Sequence, residues 1–204
     1  MSKNHLMLDI ETLGANPGCV VLSVGIASFK IDGDGENWSA FHALNLPEQI
    51  KRGFTIEANT LQWWMKQSAD AASVSFSDTS NSVSMMSLLM SLSQQIRQLD
   101  PQYLFARGYD FDFGILGHLF DEYGIGRPWK YNQLRCVRTV TSMVQADALA
   151  EHLASKGIGV VDSDDGDGDT EVLTFVAHSP VDDCIKQIVE VQGACRILGI
   201  PDFE

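Results

Sequence analysis

In Leu6-Met7-Leu8-Asp9-Ile10-Glu11-Thr12-Leu13-Gly14, the residues Leu6, Leu8 and Ile10 alternate with Met7, Asp9 and Glu11. Side chains on a strand point to opposite faces in turn, so this alternation predicts a strand with Asp9 and Glu11 on one face. Their backbone positions lie two strand rises apart, roughly 6.5 to 7 Å. Two carboxylates at the end of a largely apolar strand repel each other and resist burial. A hard cation such as Mg²⁺ or Mn²⁺, which prefers oxygen ligands, resolves the conflict. A solvated strand end would carry the same two residues, so the decision falls to the rest of the chain.

Around this stretch the chain has the make-up of one domain, residues 1–204, large enough to bury a core. No apolar run approaches the ~18 residues of a membrane span. The opening Met-Ser-Lys-Asn-His leads into a strand, so no signal peptide is expected. Cys19, Cys136, Cys184 and Cys195 lack Cys-x-x-Cys spacing, and three of them sit in apolar stretches. Reduced thiols of a cytoplasmic protein are the expectation. The net charge of −13 argues at first against a nucleic-acid partner. However, six acids lie between Asp162 and Glu171, and four more are the candidate metal ligands described below. Without those ten the balance is −3. An enzyme that handles a strand end needs no broad basic face.

Downstream of the first strand, Gly14 to Gly18 reads as a turn and Cys19 to Lys30 as a buried strand. Trp38 to Leu46 completes an antiparallel meander. Leu61, Trp64, Met65 and Ser68 then recur at helical spacing, with Thr60 as cap. Ser73 to Ser84 reads as loop. Val83 to Leu99 reads as a helix with Met86, Leu89, Met90, Leu92, Ile96 and Leu99 inward. Tyr103 to Ala106 is a short buried strand. Asp110 and Asp112 open the next helix, whose inner side carries Phe113, Leu116, Leu119, Phe120 and Tyr123. Arg135 to Val140 fits either a strand or the start of a helix, and Ser142 to Leu153 is helical. The Gly/Asp-rich Asp162 to Thr170 fails the EF-hand spacing, because Thr170 and Val176 stand where Gly and Glu are required. A mobile acidic loop is expected there. In the final helix Ser179 is the N-cap, Pro180 occupies the first helical position and Asp182 completes a capping box. His178 then lies just outside that helix and Asp183 in its first turn.

The three clusters together are a constellation. Asp-x-Glu lies on a strand, an Asp opens a helix after a short strand, and His-x-x-x-x-Asp opens the last helix. The chain resembles the DnaQ-like 3′–5′ exonucleases of the DEDDh subclass, along nearly its whole length. The stretches Thr60 to Ser68 (with Trp63-Trp64), Arg107 to Leu116 and Phe175 to Cys184 look most similar to the bacteriophage DexA-type enzymes.

The resemblance implies a ribonuclease H-like α/β fold: a mixed central sheet, antiparallel meander then parallel strands, flanked by helices. It selects Asp112 over Asp110, leaving Asp110 as the helix cap, and Asp183 over Asp182. It implies that Asp9, Glu11, Asp112 and Asp183 hold two ions, Mg²⁺ or Mn²⁺, with His178 as general base. The expected partner is a single-stranded nucleic-acid 3′ end, DNA favoured over RNA, cleaved to nucleoside 5′-monophosphates. The first rival is an exoribonuclease of the same fold, with 2′-hydroxyl contacts deciding the sugar; the second is a non-catalytic nucleic-acid or protein adaptor on that fold, and the intact ligand set argues against it. Trp63 is a candidate base-stacking residue. Arg107, Arg135 and Arg138 are candidate phosphate contacts. Trp38, Trp129 and Tyr131 in surface loops suggest a homodimer.

Overall fold

In the computed structural model, residues 3–33, 38–76, 82–156, 178–201 and 203 are described. The acidic stretch Asp162 to Thr170, expected as a mobile loop, lies outside them. β1 (His5–Thr12), β2 (Val21–Phe29) and β3 (Ser39–Ala43) form the antiparallel meander. β4 (Leu104–Ala106) pairs parallel with β1, and β5 (Leu134–Cys136) parallel with β4. The order is β3-β2-β1-β4-β5, so β1 is the central strand. The described helices are α1 (Leu46–Lys51), α2 (Ala58–Trp64), α3 (Ala69–Ser75), α4 (Met85–Leu99), α5 (Tyr109–Glu122), α6 (Val137–Thr141), α7 (Ala146–Ser155) and α8 (Pro180–Leu198). None is long and apolar enough to cross a membrane.

The alternation in β1 separates two cores. Leu6, Leu8 and Ile10 join a cluster with Leu88 and Leu92 of α4 and Phe113 and Leu116 of α5. Met7 joins the opposite cluster with Cys184, Ile188 and Val191 of α8 and Val137 of α6. Asp9 and Glu11 continue the face of Met7, so their carboxylates lie on the side that α8 covers. α8 reaches that position because Gly25 lies opposite Asp9 in the β1–β2 register. A Cβ on Gly25 would stand 2.3 Å from the Pro180 carbonyl carbon and 2.4 Å from its oxygen. Only a residue without a side chain lets the first turn of α8 lie so close to β2.

Several local expectations are corrected. Thr60 does not cap a helix; α2 is capped at Glu57, and of its residues only Trp64 is buried. Leu61 and Met65 face solvent, Met65 with 79% of its surface exposed. Ser68 starts a second helix, its Oγ accepting the Ala71 N–H at 3.2 Å, so part of the expected serine loop is α3. Serine-rich composition hid this, because the helix is short and held mainly by its cap. In α4 the buried apolar residues are Met85, Leu88, Leu89, Leu92 and Ile96, while Met86 and Met90 are exposed. Hydropathy alone cannot choose between adjacent methionines; packing against β1 chooses. The Arg135–Val140 ambiguity ends with both answers, β5 followed directly by α6. Trp129 packs between Phe113 and Phe120, with ring centroids at 5.2 Å from each, and belongs to the core. It offers nothing to a dimer surface, whereas Tyr131 is exposed.

Gly25→Ala is expected to destabilise the chain by about 1–3 kcal/mol, the usual cost of forcing extra atoms into a packed contact. It should also displace the start of α8. Thermal or urea unfolding of the variant beside an exposed control such as Gly126→Ala, where a Cβ meets nothing and φ is not left-handed, separates the steric effect from a general glycine effect.

Candidate active site

The start of α8, the end of β1 and the first turn of α5 meet at a cleft of about 650 Å³. Asp9, Glu11, Asp112, His178 and Asp183 all line it, as do Trp63, Arg107 and Arg138. Asp112 is buried in the first turn of α5, and its Oδ1 accepts the Ile10 N–H at 3.2 Å. That bond ties the helix to β1 between the two strand carboxylates. The N-cap of α5 is Gly108, in a left-handed conformation at φ 87°, so Asp110 is not the cap. The backbone turns tightly there, and a Cβ on Gly108 would meet the Arg138 guanidinium at 2.9 Å. Ser179 is the N-cap of α8 by its backbone, yet its side chain makes no capping bond, and the expected box with Asp182 does not form. The first turn is held by the Asp183 N–H donating to the Ser179 carbonyl at 2.8 Å and by the contact with Gly25.

Glu11, His178 and Asp183 bring one ligand atom each to within 4.8 Å of one another. His178 Nδ1 is 3.7 Å from Glu11 Oε1. The histidine backbone is left-handed, φ 63°, a conformation that costs a non-glycine residue roughly 1–3 kcal/mol and needs support. Ser75 supplies some of it, donating to the His178 carbonyl at 3.0 Å. The ring packs edge-to-face on Trp63 and Trp64, with centroids at 4.7 and 5.8 Å. Trp64 is core, its Nε1–H donating to the Thr12 carbonyl at 2.9 Å, and Trp63 forms the open wall at 41% exposure.

Electrostatics follow from burial. Asp9 is pushed well above the ordinary carboxylate range by burial and then by repulsion from Asp112, Glu11 and Asp183. Burial raises Asp112 to about 8, against the pull of the Ile10 N–H. Glu11 and Asp183 are raised for the same first reason, each moderated by His178. The Glu11 carboxylate beside the ring raises His178. One buried and three half-buried carboxylates that raise one another's pKa offer a set of oxygen ligands that fits a hard divalent ion.

The chain sequence did not single out Gln187, Glu190 or Lys186. Gln187 donates to Asp9 Oδ1 at 3.0 Å, and Glu190 pairs with Arg107. The signal was present: Asp183, Gln187 and Glu190 follow i, i+4, i+7, one helical face. Arg107 is therefore shared with a carboxylate. Arg138 lines the cleft, and no ion pair holds it among the described residues. Arg135 is turned away: its guanidinium lies 3.7 Å from the Tyr103 ring and donates to the carbonyls of Asn132 and Leu134.

A family model described as the 3′–5′ exoribonuclease Rv2179c-like domain matches residues 4–189. The chain belongs to that family. It is a DnaQ-like 3′–5′ exonuclease, and enzymes of the DEDDh class use divalent metal ions. No curated protein matches it in sequence. Among solved structures it is similar to the nuclease domain of 3′hExo, a DEDDh family member bound to rAMP, with TM-score 0.55 and 8% identity over 99% of this chain and 96% of that one. It is similar to cell-death related nuclease 4, with TM-score 0.58 and 14% identity over 98% of this chain and 66% of that one. E. coli exonuclease I in complex with a dT13 oligonucleotide shows TM-score 0.53 and 12% identity; the match covers 96% of this chain and 41% of that one. At such identities the likeness is one of fold, ribonuclease H-like in each case.

The raised carboxylates predict a pH dependence of stability for the ion-free exonuclease. A group protonated more readily in the folded state stabilises it at low pH, and that contribution is lost as pH rises through the folded value. For Asp112 the window runs from its ordinary range up to about 8. In chelator, the thermal midpoint should therefore rise as pH falls from 8 to 5.5. Asp112→Asn should flatten the trend, and saturating Mg²⁺ should abolish it in the unmodified chain. A midpoint that falls over the same interval would contradict the burial of these acids.

Proposed function

We propose that residues 1–204 form one exonuclease domain in which Asp9, Glu11, Asp112 and Asp183 hold two divalent ions, Mg²⁺ or Mn²⁺, and His178 acts as general base. The observation behind this reading is the burial of four carboxylates in one cleft, with a histidine against one of them. Ions bound there would activate water and stabilise the leaving 3′-oxygen. Glu11 orients the His178 ring through Nδ1, leaving Nε2 to take the proton of the attacking water. Gln187 holds Asp9, and the Ile10 N–H holds Asp112, so neither carboxylate needs to reorganise when the substrate arrives. Trp63 offers an exposed ring on which the terminal base stacks. Arg138, with Arg107 beside it, meets the phosphates. The product is a nucleoside 5′-monophosphate.

The substrate is a single-stranded 3′ end. The family's description favours RNA, and we take RNA as the preferred polymer. The second reading is DNA, favoured by the motif-level likeness to bacteriophage DexA-type exonucleases. Free cysteines suit a reducing cytoplasm. Digestion of matched, 5′-labelled RNA and DNA oligomers with Mg²⁺ or Mn²⁺ tests both readings. A ladder shortening from the 3′ end, faster on RNA, is the expected result.

Asp9→Asn should remove metal-dependent turnover by orders of magnitude while keeping the fold, since it relieves carboxylate repulsion. Wild-type turnover in that variant would overturn the ligand assignment. His178→Ala should lower turnover by roughly 10² to 10⁴, the usual contribution of a general base. Calorimetric ion affinity should stay close to wild type. Because His178 stands within ligand distance of Glu11 and Asp183, a joint loss of ion affinity and turnover would make it a ligand instead.

A further inference from the structure

A second cavity, of about 310 Å³, lies between α7, α8 and the turn after β2. Its walls carry His152 and Lys156 from the end of α7 and Arg196 from α8, with Asp32 also on the lining. Three basic side chains in one cavity stand out in a chain of net charge −13. No described carboxylate forms an ion pair with His152, Lys156 or Arg196. Burial and then the neighbouring Arg196 and Lys156 lower His152, so its ring is held toward the neutral form and lines the cavity as a hydrogen-bonding group beside two cations.

The cavity is built. A Cβ on Gly193 would stand 2.5 Å from His152 Cδ2 and 3.2 Å from Nε2, so the glycine lets the imidazole lie flat against α8. Gln192 anchors the facing turn, donating to the Lys30 carbonyl at 2.7 Å. The cavity is also linked to the catalytic cleft. Lys186 lines that cleft, while Val189 and Arg196 line the second cavity. Lys186, Val189, Gly193 and Arg196 follow i, i+3, i+7, i+10, a single stripe along α8. Arg196 stands thirteen residues beyond Asp183, on the order of 20 Å along the helix.

We propose that this cavity is a phosphate-binding site, separate from the catalytic centre and joined to it by the Lys186–Arg196 stripe. Its ligand is a phosphate group, carried either by the upstream part of a nucleic-acid strand or by a free phosphate ester. The first source rests on the exonuclease reading; the site itself does not.

The test uses the full chain, free of divalent ions, titrated with inorganic phosphate and followed by amide NMR. Saturable shifts are expected at Gly193 and its neighbours. The Lys156→Gln/Arg196→Gln double variant replaces two exposed residues and should weaken the affinity at least about tenfold, as for loss of charge-assisted hydrogen bonds. Shifts that do not saturate, or that the double variant leaves unchanged, overturn the proposal, whatever the nuclease assays show. Turnover then identifies the source. If the double variant raises KM severalfold on long single strands but not on a dinucleotide, at unchanged kcat, the ligand is a strand phosphate. If phosphate affinity falls while KM stays unchanged on both, it is a free phosphate ester.

Discussion

The active site depends on the close approach of two backbones. The first turn of α8 rests on β2 at Gly25, where any side chain would collide with Pro180. Because Gly25 is paired with Asp9, that contact sets the height at which α8 crosses the sheet. His178 and Asp183 reach the cleft from that position, and so do Gln187 and Glu190 further along the same face. The cluster of Met7, Cys184, Ile188 and Val191 beneath them holds the helix down by burial of apolar surface.

Convergence of four carboxylates works against that burial. Each is pushed toward its neutral form by loss of water, and Asp9 also by its neighbours. The fold offsets part of the cost with directed bonds, from Ile10 to Asp112 and from Gln187 to Asp9, and with the His178 ring standing 3.7 Å from Glu11. Divalent cations held by the proposed ligand set would offset more of it, and would couple ion binding to stability through the same residues.

Aromatic packing couples the histidine to elements that carry none of the four carboxylates. His178 leans on Trp63 and Trp64 of α2, and its carbonyl takes a bond from Ser75 of α3. Trp64 in turn is bonded to the end of β1. Movement of α2 or α3 would therefore be felt at the histidine, through contacts rather than through the carboxylates.

The sequence by itself determined the strand carrying Asp9 and Glu11, because period-two alternation in β1 is a direct consequence of strand geometry. It determined the antiparallel meander and, with the family resemblance, the parallel strands that follow it and the five residues that line the cleft together. These are local patterns, legible because each lies within one element. Tertiary structure alone decided the rest. It chose Met85 over Met86 and made Trp129 core, because adjacent apolar residues differ only in what they face. It turned Arg135 away and paired Arg107 with Glu190, because a side chain's partner 83 residues along the chain leaves no mark on its neighbours. Gln187 lay between these cases: its helical spacing from Asp183 is written in the sequence, but its bond to Asp9 exists only once α8 has crossed β1.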